Sequence, residues 1–397
     1  MIFRCLKTYL FGKNCCGKDV LFVRKNRNLY LFLMKRKDKE VAKKATLKFK
    51  KDFENLEDLR TEISSCLITK NSLWLSYDED AGIERLTKKK LKKNYKFNKH
   101  KHYELSDFFD LPADDEMDIE ALAYAEPYLW FCGSMSLKRD TPDPEDGTDE
   151  QLDALLDITR DKNRFSLGCI PCIENDGDFE LHHDHEFLGH KIEACMMRGG
   201  THSSELNNAL LADPHLQMFM QVPCKDNGFD IEGLAVEGER IFIGLRGPVI
   251  GGYAIILEIK VTALNRELVM QQRDGEHYLY RKHFVDLKGM GIRELNIDKK
   301  GDMYILAGPT MDLDGTISIF KIENGIDDAA SSFIHEPIRL FDVARGSEVP
   351  HGKEKAEGMA IMDEDEILIT YDSPLEKRLK GKRKVVMDVY QFGEKDS

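Results

Sequence analysis

The sequence predicts an all-β fold, a closed β-propeller of six blades, with five to seven allowed by the pattern. Three observations predict it. A strand-turn-strand unit recurs along the chain, a glutamate recurs near the start of the unit, and the apolar runs are short and either alternating or wholly apolar, as strands are.

Five segments open the units: Arg60-Thr61-Glu62-Ile63-Ser64, Asp118-Ile119-Glu120-Ala121-Leu122-Ala123, Asp230-Ile231-Glu232-Gly233-Leu234-Ala235, Gly291-Ile292-Arg293-Glu294-Leu295 and Lys355-Ala356-Glu357-Gly358-Met359-Ala360. A turn and a second strand follow each, at Ser72–Ser76, Tyr128–Cys132, Arg240–Leu245, Asp302–Leu306 and Glu366–Thr370. Third strands read at Tyr253–Ile259, Thr316–Ile322 and Val385–Phe392. The glutamates lie 58, 112, 62 and 63 residues apart. The long interval holds an acidic Pro-rich loop and two helix-like stretches, so insertions are expected at about 140–164 and 193–222 within one domain, 1–397. Three to four strands per ~45–60 residues suit blades packed around a channel, whereas a β-helix repeats much faster. The hairpin Asp19–Arg36 lacks the glutamate and is assigned to a sixth blade. A strand near Ile2–Leu10 is expected to complete the last sheet, because ring closure removes exposed sheet edges.

Composition excludes other classes. Of 397 residues, 42% are hydrophobic and 32% charged, as in a folded globular chain. The longest apolar run, Leu29–Met34, falls far short of the ~20 residues that span a bilayer. The basic N-terminus lacks a long apolar centre and nine cysteines form no repeated framework, so a cytoplasmic location without membrane insertion is expected. Charge is asymmetric: residues 1–103 hold 27 Lys/Arg against 12 Asp/Glu, the remainder 31 against 59. Such a field steers charged partners.

First strands line a propeller channel, so the recurring glutamates should gather there, and confined carboxylates raise one another's pKa unless a cation intervenes. Glu120, Asp230, Glu232, Arg246, Glu294, Glu357 and Asp372 are therefore the expected channel cluster. Ser134, Arg246 and Gly308 each fall 14 residues after a glutamate, while Asp78 and Asp372 end second strands near the same rim. One reading is a Ca²⁺ held by Glu232, Glu294 and Glu357. The other is structural, with each glutamate pinning neighbouring blades and Arg246 pairing with Asp230 or Glu232.

Cys169, Cys172, His183 and His185 have spacings compatible with Zn²⁺, although alternate cysteines in a strand are also ordinary core residues. Lys88, Lys89, Lys90, Lys92, Lys93 and Lys96, interleaved with Tyr95 and Phe97, form a basic patch that suits nucleic acid, an acidic partner or a solvated sheet edge. No Gly-x-Ser-x-Gly, phosphate loop or His-Glu-x-x-His occurs.

The run Pro223-Cys224-Lys225-Asp226-Asn227-Gly228-Phe229-Asp230-Ile231-Glu232-Gly233-Leu234-Ala235, with Gly244-Leu245-Arg246-Gly247-Pro248 after it, resembles a bacterial family catalogued as domain of unknown function number 3616. Ala212-Asp213-Pro214-His215-Leu216, Arg293-Glu294-Leu295 and Glu357-Gly358-Met359-Ala360 fit the same pattern, and Cys224 stands where a small polar residue is expected. The resemblance is strong over roughly 205–375, weaker over 60–140 and not visible over the basic N-terminus. It implies a propeller-like fold and no established reaction. The strands are also reminiscent of phytase-like and lactonase-like propellers, whose carboxylates bind Ca²⁺. Some accessory proteins of CRISPR-type defence loci are propellers of this general kind. The expected function is a non-catalytic, scaffold-like propeller binding a protein partner in a bacterial regulatory, signalling or defence assembly. The alternative is a Ca²⁺-dependent phosphoesterase- or lactonase-like hydrolase at the channel mouth, and nucleic-acid binding through the lysine tract is third.

Overall fold

Strands buried on both faces read as continuous apolar runs rather than alternating ones. Ser72–Tyr77, Ala254–Ile259 and Met303–Gly308 are of this kind, buried at every residue. They belong to a computed structural model that describes residues 39–78, 80–111, 117–200, 203–311, 313–344, 349–363 and 365–392, with the backbone of three strands nearer the N-terminus.

The chain divides into two units, Met1–Lys39 and Glu40–Ser397, where the sequence predicts one domain. In the first, Tyr9–Lys13, Asp19–Lys25 and Asn28–Leu33 pair in chain order as an antiparallel sheet. The hairpin expected at Asp19–Arg36 is thus present in its described part. Residues 2–8 of the expected N-terminal strand lie outside the described residues.

The second unit is all-β and propeller-like, built on sheets of seven, five, four and eight strands. The described sheets are not the closed propeller that the sequence predicts. The innermost strands are Ile63–Thr69, Ile119–Ala125, Asp230–Glu237, Gly291–Ile297 and Lys355–Asp363. Each lies at a sheet edge, and each packs beside the next in that order, Lys355–Asp363 beside Ile63–Thr69. The eight-stranded sheet carries two of them because it joins two four-stranded halves: Lys43–Lys48 pairs antiparallel with Lys384–Gln391 and parallel with Tyr95–Glu104. The strand that completes the last sheet is therefore Lys43–Lys48. Its alternate residues Ala45 and Leu47 are fully buried, which fixes its register.

Close approach of adjacent units requires small residues where they meet. A Cβ on Gly244 would lie 2.5 Å from Ile292 Cγ2 and 3.0 Å from Leu295 Cδ1 of the next unit. The insertions carry the helices Thr148–Ala154 and Glu205–Leu210. Among the described residues no helix is long and apolar enough to cross a membrane.

Charge is also buried between strands. Glu258, fully buried on Ala254–Ile259, accepts hydrogen bonds from Arg240 Nε at 2.9 Å and His283 Nε2 at 3.0 Å, and from Arg273. Burial pushes its carboxyl up, but the His283 and Arg240 hydrogen bonds override this and hold it at about 2, below the ordinary 4.5. A depressed carboxyl stabilises the fold fully above its unfolded value and loses that contribution as pH falls through its folded value. Glu258→Gln, which leaves buried arginines without their counter-charge, is expected to cost about 3–5 kcal/mol near neutrality. Thermal melts of both proteins should converge as pH falls from 4.5 toward 2; a constant gap across that range contradicts the assignment.

Candidate functional site

Every innermost strand starts with a register slip against its second strand. The unpaired residues are Ser64, Glu120, Glu232, Arg293 and the pair Glu357-Gly358. A β-bulge re-aims the side chain it carries. These five positions are the structural repeat, and they correct the glutamate series. Glu294 stands one residue beyond Arg293, and Glu62 two residues before Ser64. A one-residue offset on a strand sends a side chain to the other face. Glu294 is accordingly fully buried, accepting from Ser65 Oγ at 2.7 Å and from the Leu295 amide at 3.1 Å. Burial holds its carboxyl well above the usual range.

At the bulges, cations and carboxylates interleave. Arg246 places Nε 2.9 Å from Asp230 Oδ2 and Nη1 2.6 Å from Glu232 Oε1. Arg293 Nη1 lies 2.7 Å from Glu357 Oε1 and 3.7 Å from Glu232 Oε2. Arg164 pairs with Asp118 and donates to Ser134 Oγ at 2.9 Å. Lys355 Nζ lies 3.8 Å from Asp372 Oδ2. Around these four cations stand the carboxylates of Asp78, Asp118, Glu120, Asp230, Glu232, Glu357 and Asp372, with Glu62 beside Asp78 and Asp161 beside Arg164.

The imbalance shows in proton affinity. Burial, together with Asp118 and Asp78, pushes the Glu120 carboxyl well up. Asp78 is raised by burial and by Asp118, Glu357 and Asp372. Burial also raises Asp230, against the pull of Arg246, to about 7. Glu357, raised by burial and Asp372 and opposed by Arg293, also stands at about 7. Oxygen atoms of Asp78, Asp118 and Glu120 all lie within 4.8 Å of one another, a spacing that suits a hard cation. Glu232, Glu294 and Glu357 are not brought together in this way: Arg293 lies between the first and last, and Glu294 turns to Ser65.

The four zinc candidates do not converge. Cys169 and Cys172, three apart on one strand, face opposite sides of their sheet and pack in different core clusters. Cys169 sits opposite Cys195 and Cys172 opposite Leu181. Burial pushes both thiols up, away from the ligating thiolate. His183 is exposed beside Asp184, and His185 lies in the hairpin of Asp184–Phe187 with His190–Glu193.

The lysine tract forms the hairpin Gly82–Lys90 with Tyr95–Glu104. Lys89, Lys90, Lys92 and Lys93 are exposed, and Lys88 and Lys96 half-buried. Tyr95 and Phe97 are only 2% and 0% exposed, so neither ring offers a face for base stacking.

Four junction residues escaped the sequence reading: Asp118, Arg164, Arg293 and Lys355. The first had a signal, since Asp118-Ile119-Glu120 repeats Asp230-Ile231-Glu232. Arg164 sits in a short 3₁₀ turn, Asn163–Phe165, with no repeat to mark it.

A family model described as "Protein of unknown function (DUF3616)" matches residues 62–388. No curated protein matches the chain. Among solved structures, the WD40 β-propeller domain of Doa1 is 6% identical over 89% of this chain and 97% of that one, with a TM-score of 0.32. A protein from Lactobacillus plantarum is 7% identical over 92% and 89%, with a TM-score of 0.28. Apo AztD from Citrobacter koseri is 10% identical over 94% and 93%, with a TM-score of 0.25.

Arg246→Ala removes the counter-charge of two buried carboxylates and should destabilise the chain by about 3–5 kcal/mol. Arg246→Lys supplies one point charge for a two-pronged contact and should recover only part of it. Thermal melts of both variants at neutral pH measure this, and unchanged melting in both would remove Arg246 from any role in holding the junction.

Proposed function

We propose, from the premise that the chain belongs to the family described as Protein of unknown function (DUF3616), that it is a non-catalytic binding module for a protein partner. Its frame is a propeller-like succession of five units, a reading supported by the cyclic order of innermost strands and by Lys43–Lys48 completing the last of them. The described cysteines are free thiols, which suits a reducing cytoplasm. A place in a bacterial regulatory, signalling or defence assembly is a finer form of the same reading.

One observation carries the partner. An arm rises on the short pairing of Lys138–Arg139 with Ile158–Thr159 and bears the helix Thr148–Ala154, none of whose residues is buried. Glu150 Oε2 accepts from the Gly147 amide at 2.8 Å and starts that helix. Leu152 on the helix and Leu155 and Leu156 just past its end are 55%, 45% and 77% exposed. From Asp140 to Thr159 there are eight Asp/Glu and no Lys/Arg. An apolar stripe in a mainly acidic surround, with Arg139 at the base of the arm donating to the Leu155 carbonyl, is complementary to a basic amphipathic segment of another protein. The arm is rooted beside the junction, where Arg164 reaches Ser136 Oγ at 3.3 Å as well as Asp118.

The paired substitution Leu152→Asp and Leu156→Asp should leave the melting temperature unchanged, because neither side chain is packed. Affinity purification from the native cell should then lose a partner bearing a basic amphipathic segment. Retention of that partner by the double variant would overturn the reading.

A second reading is favoured by the convergence of Asp78, Asp118 and Glu120. Ca²⁺ held there, with Asp230 and Glu357 near neutrality as proton carriers, would suit hydrolysis of a phosphate ester or lactone at the junction. Calorimetric Ca²⁺ binding that disappears in Glu120→Gln is its expected sign, and absence of heat with the unaltered chain removes it.

A further inference from the structure

We propose that Asp80, Glu84 and His102 form a second, separate site, one that binds a divalent transition ion of the zinc type. The hairpin of Gly82–Lys90 and Tyr95–Glu104 sets Glu84 directly opposite His102 and Gly82 opposite Glu104. Ligand atoms of Asp80, Glu84 and His102 all lie within 4.8 Å of one another. Glu84 is fully buried, so its charge must be met by protein groups or by an ion.

The two imidazoles beside Glu84 have different jobs. His100 Nδ1 accepts from the Lys50 amide at 3.1 Å, so its proton is on Nε2, which donates to one Glu84 oxygen and orients the carboxylate. His102 meets the Glu104 carboxylate through Nε2 at 2.8 Å and turns Nδ1 toward the other Glu84 oxygen. An ion would displace the proton that His102 Nδ1 now shares with Glu84, while the Glu104 carboxylate on Nε2 supports the ring as it does in a metal-bound histidine. Phe53 packs against both rings, at 5.2 Å from His100 and 5.1 Å from His102, and walls off one side.

Two further observations point to a ligand. Asp80 Oδ2 and the Tyr77 hydroxyl are buried without a hydrogen-bonding partner, and Tyr77, 1% exposed, lies against Asp80 and Glu84. Gly82 also leaves a space that any side chain would close. A Cβ there would stand 2.4 Å from His102 Cε1 and 2.9 Å from Asp80 Oδ2. The glycine is what permits the histidine and the aspartate to approach one another. One imidazole nitrogen with two carboxylates suits zinc and its neighbours, whereas an all-oxygen set would suit calcium.

Co²⁺, which reports its coordination by visible absorption, is the probe. The full chain, stripped with a chelator, should take up one equivalent, and Zn²⁺ should displace it. His102→Ala should abolish the spectrum, and Asp80→Asn should weaken uptake. Glu104→Gln, at a half-exposed position where folding is not at stake, should weaken uptake roughly ten- to a hundredfold through loss of the supporting carboxylate. Failure of the unaltered chain to bind Co²⁺, or uptake that survives His102→Ala, overturns the proposal. So does uptake that is lost instead in a His183→Ala and His185→Ala double variant.

Discussion

Buried carboxylates must find a proton, an arginine or a cation, and the organisation of this protein follows from that requirement. Bulges at the starts of the innermost strands aim their unpaired side chains toward one another. Four of the five positions carry Glu or Arg, and Ser64 takes the remaining one. Arg293 occupies the place a glutamate holds in neighbouring units, and so bridges Glu232 and Glu357. One arginine in the repeat turns a ring of mutually repelling groups into an alternating one.

The same requirement is met locally elsewhere. Arg378 lies 2.7 Å from Glu354 and 2.9 Å from Asp388 while covering the face of Tyr371 at 4.0 Å. It thereby ties the last sheet near the strand Lys384–Gln391, which holds Lys43–Lys48. Glu258 binds three strands through Arg240, His283 and Arg281. At the junction, by contrast, carboxylates outnumber cations: Asp78 and Glu120 stand beside Asp118, whose charge Arg164 meets. That surplus lies at the root of the acidic arm.

The arm and the lysine hairpin present opposite fields on one chain. The hairpin keeps its aromatic residues inward and most of its ammonium groups outward, and both its strands lie inside the eight-stranded sheet. The arm does the reverse, turning leucines to water on and just beyond its short helix.

Periodicity alone was enough to show an all-β chain with recurrent units, because a strand buried on both faces leaves an apolar run whatever its neighbours are. Asp230, Glu232 and Arg246 were legible for the same reason, lying on adjoining strands within one local hairpin. The register of Glu294 was not legible, since a bulge adds one residue without a mark in the sequence and moves the role to Arg293. The pairing of Lys43–Lys48 with Lys384–Gln391 joins segments more than three hundred residues apart, and no local pattern encodes it. Cys169 and Cys172 had a ligand's spacing but a strand's geometry, which sends them to opposite faces. Glu84 and His102 had no motif at all, because they meet across a hairpin whose register only the packed sheet decides.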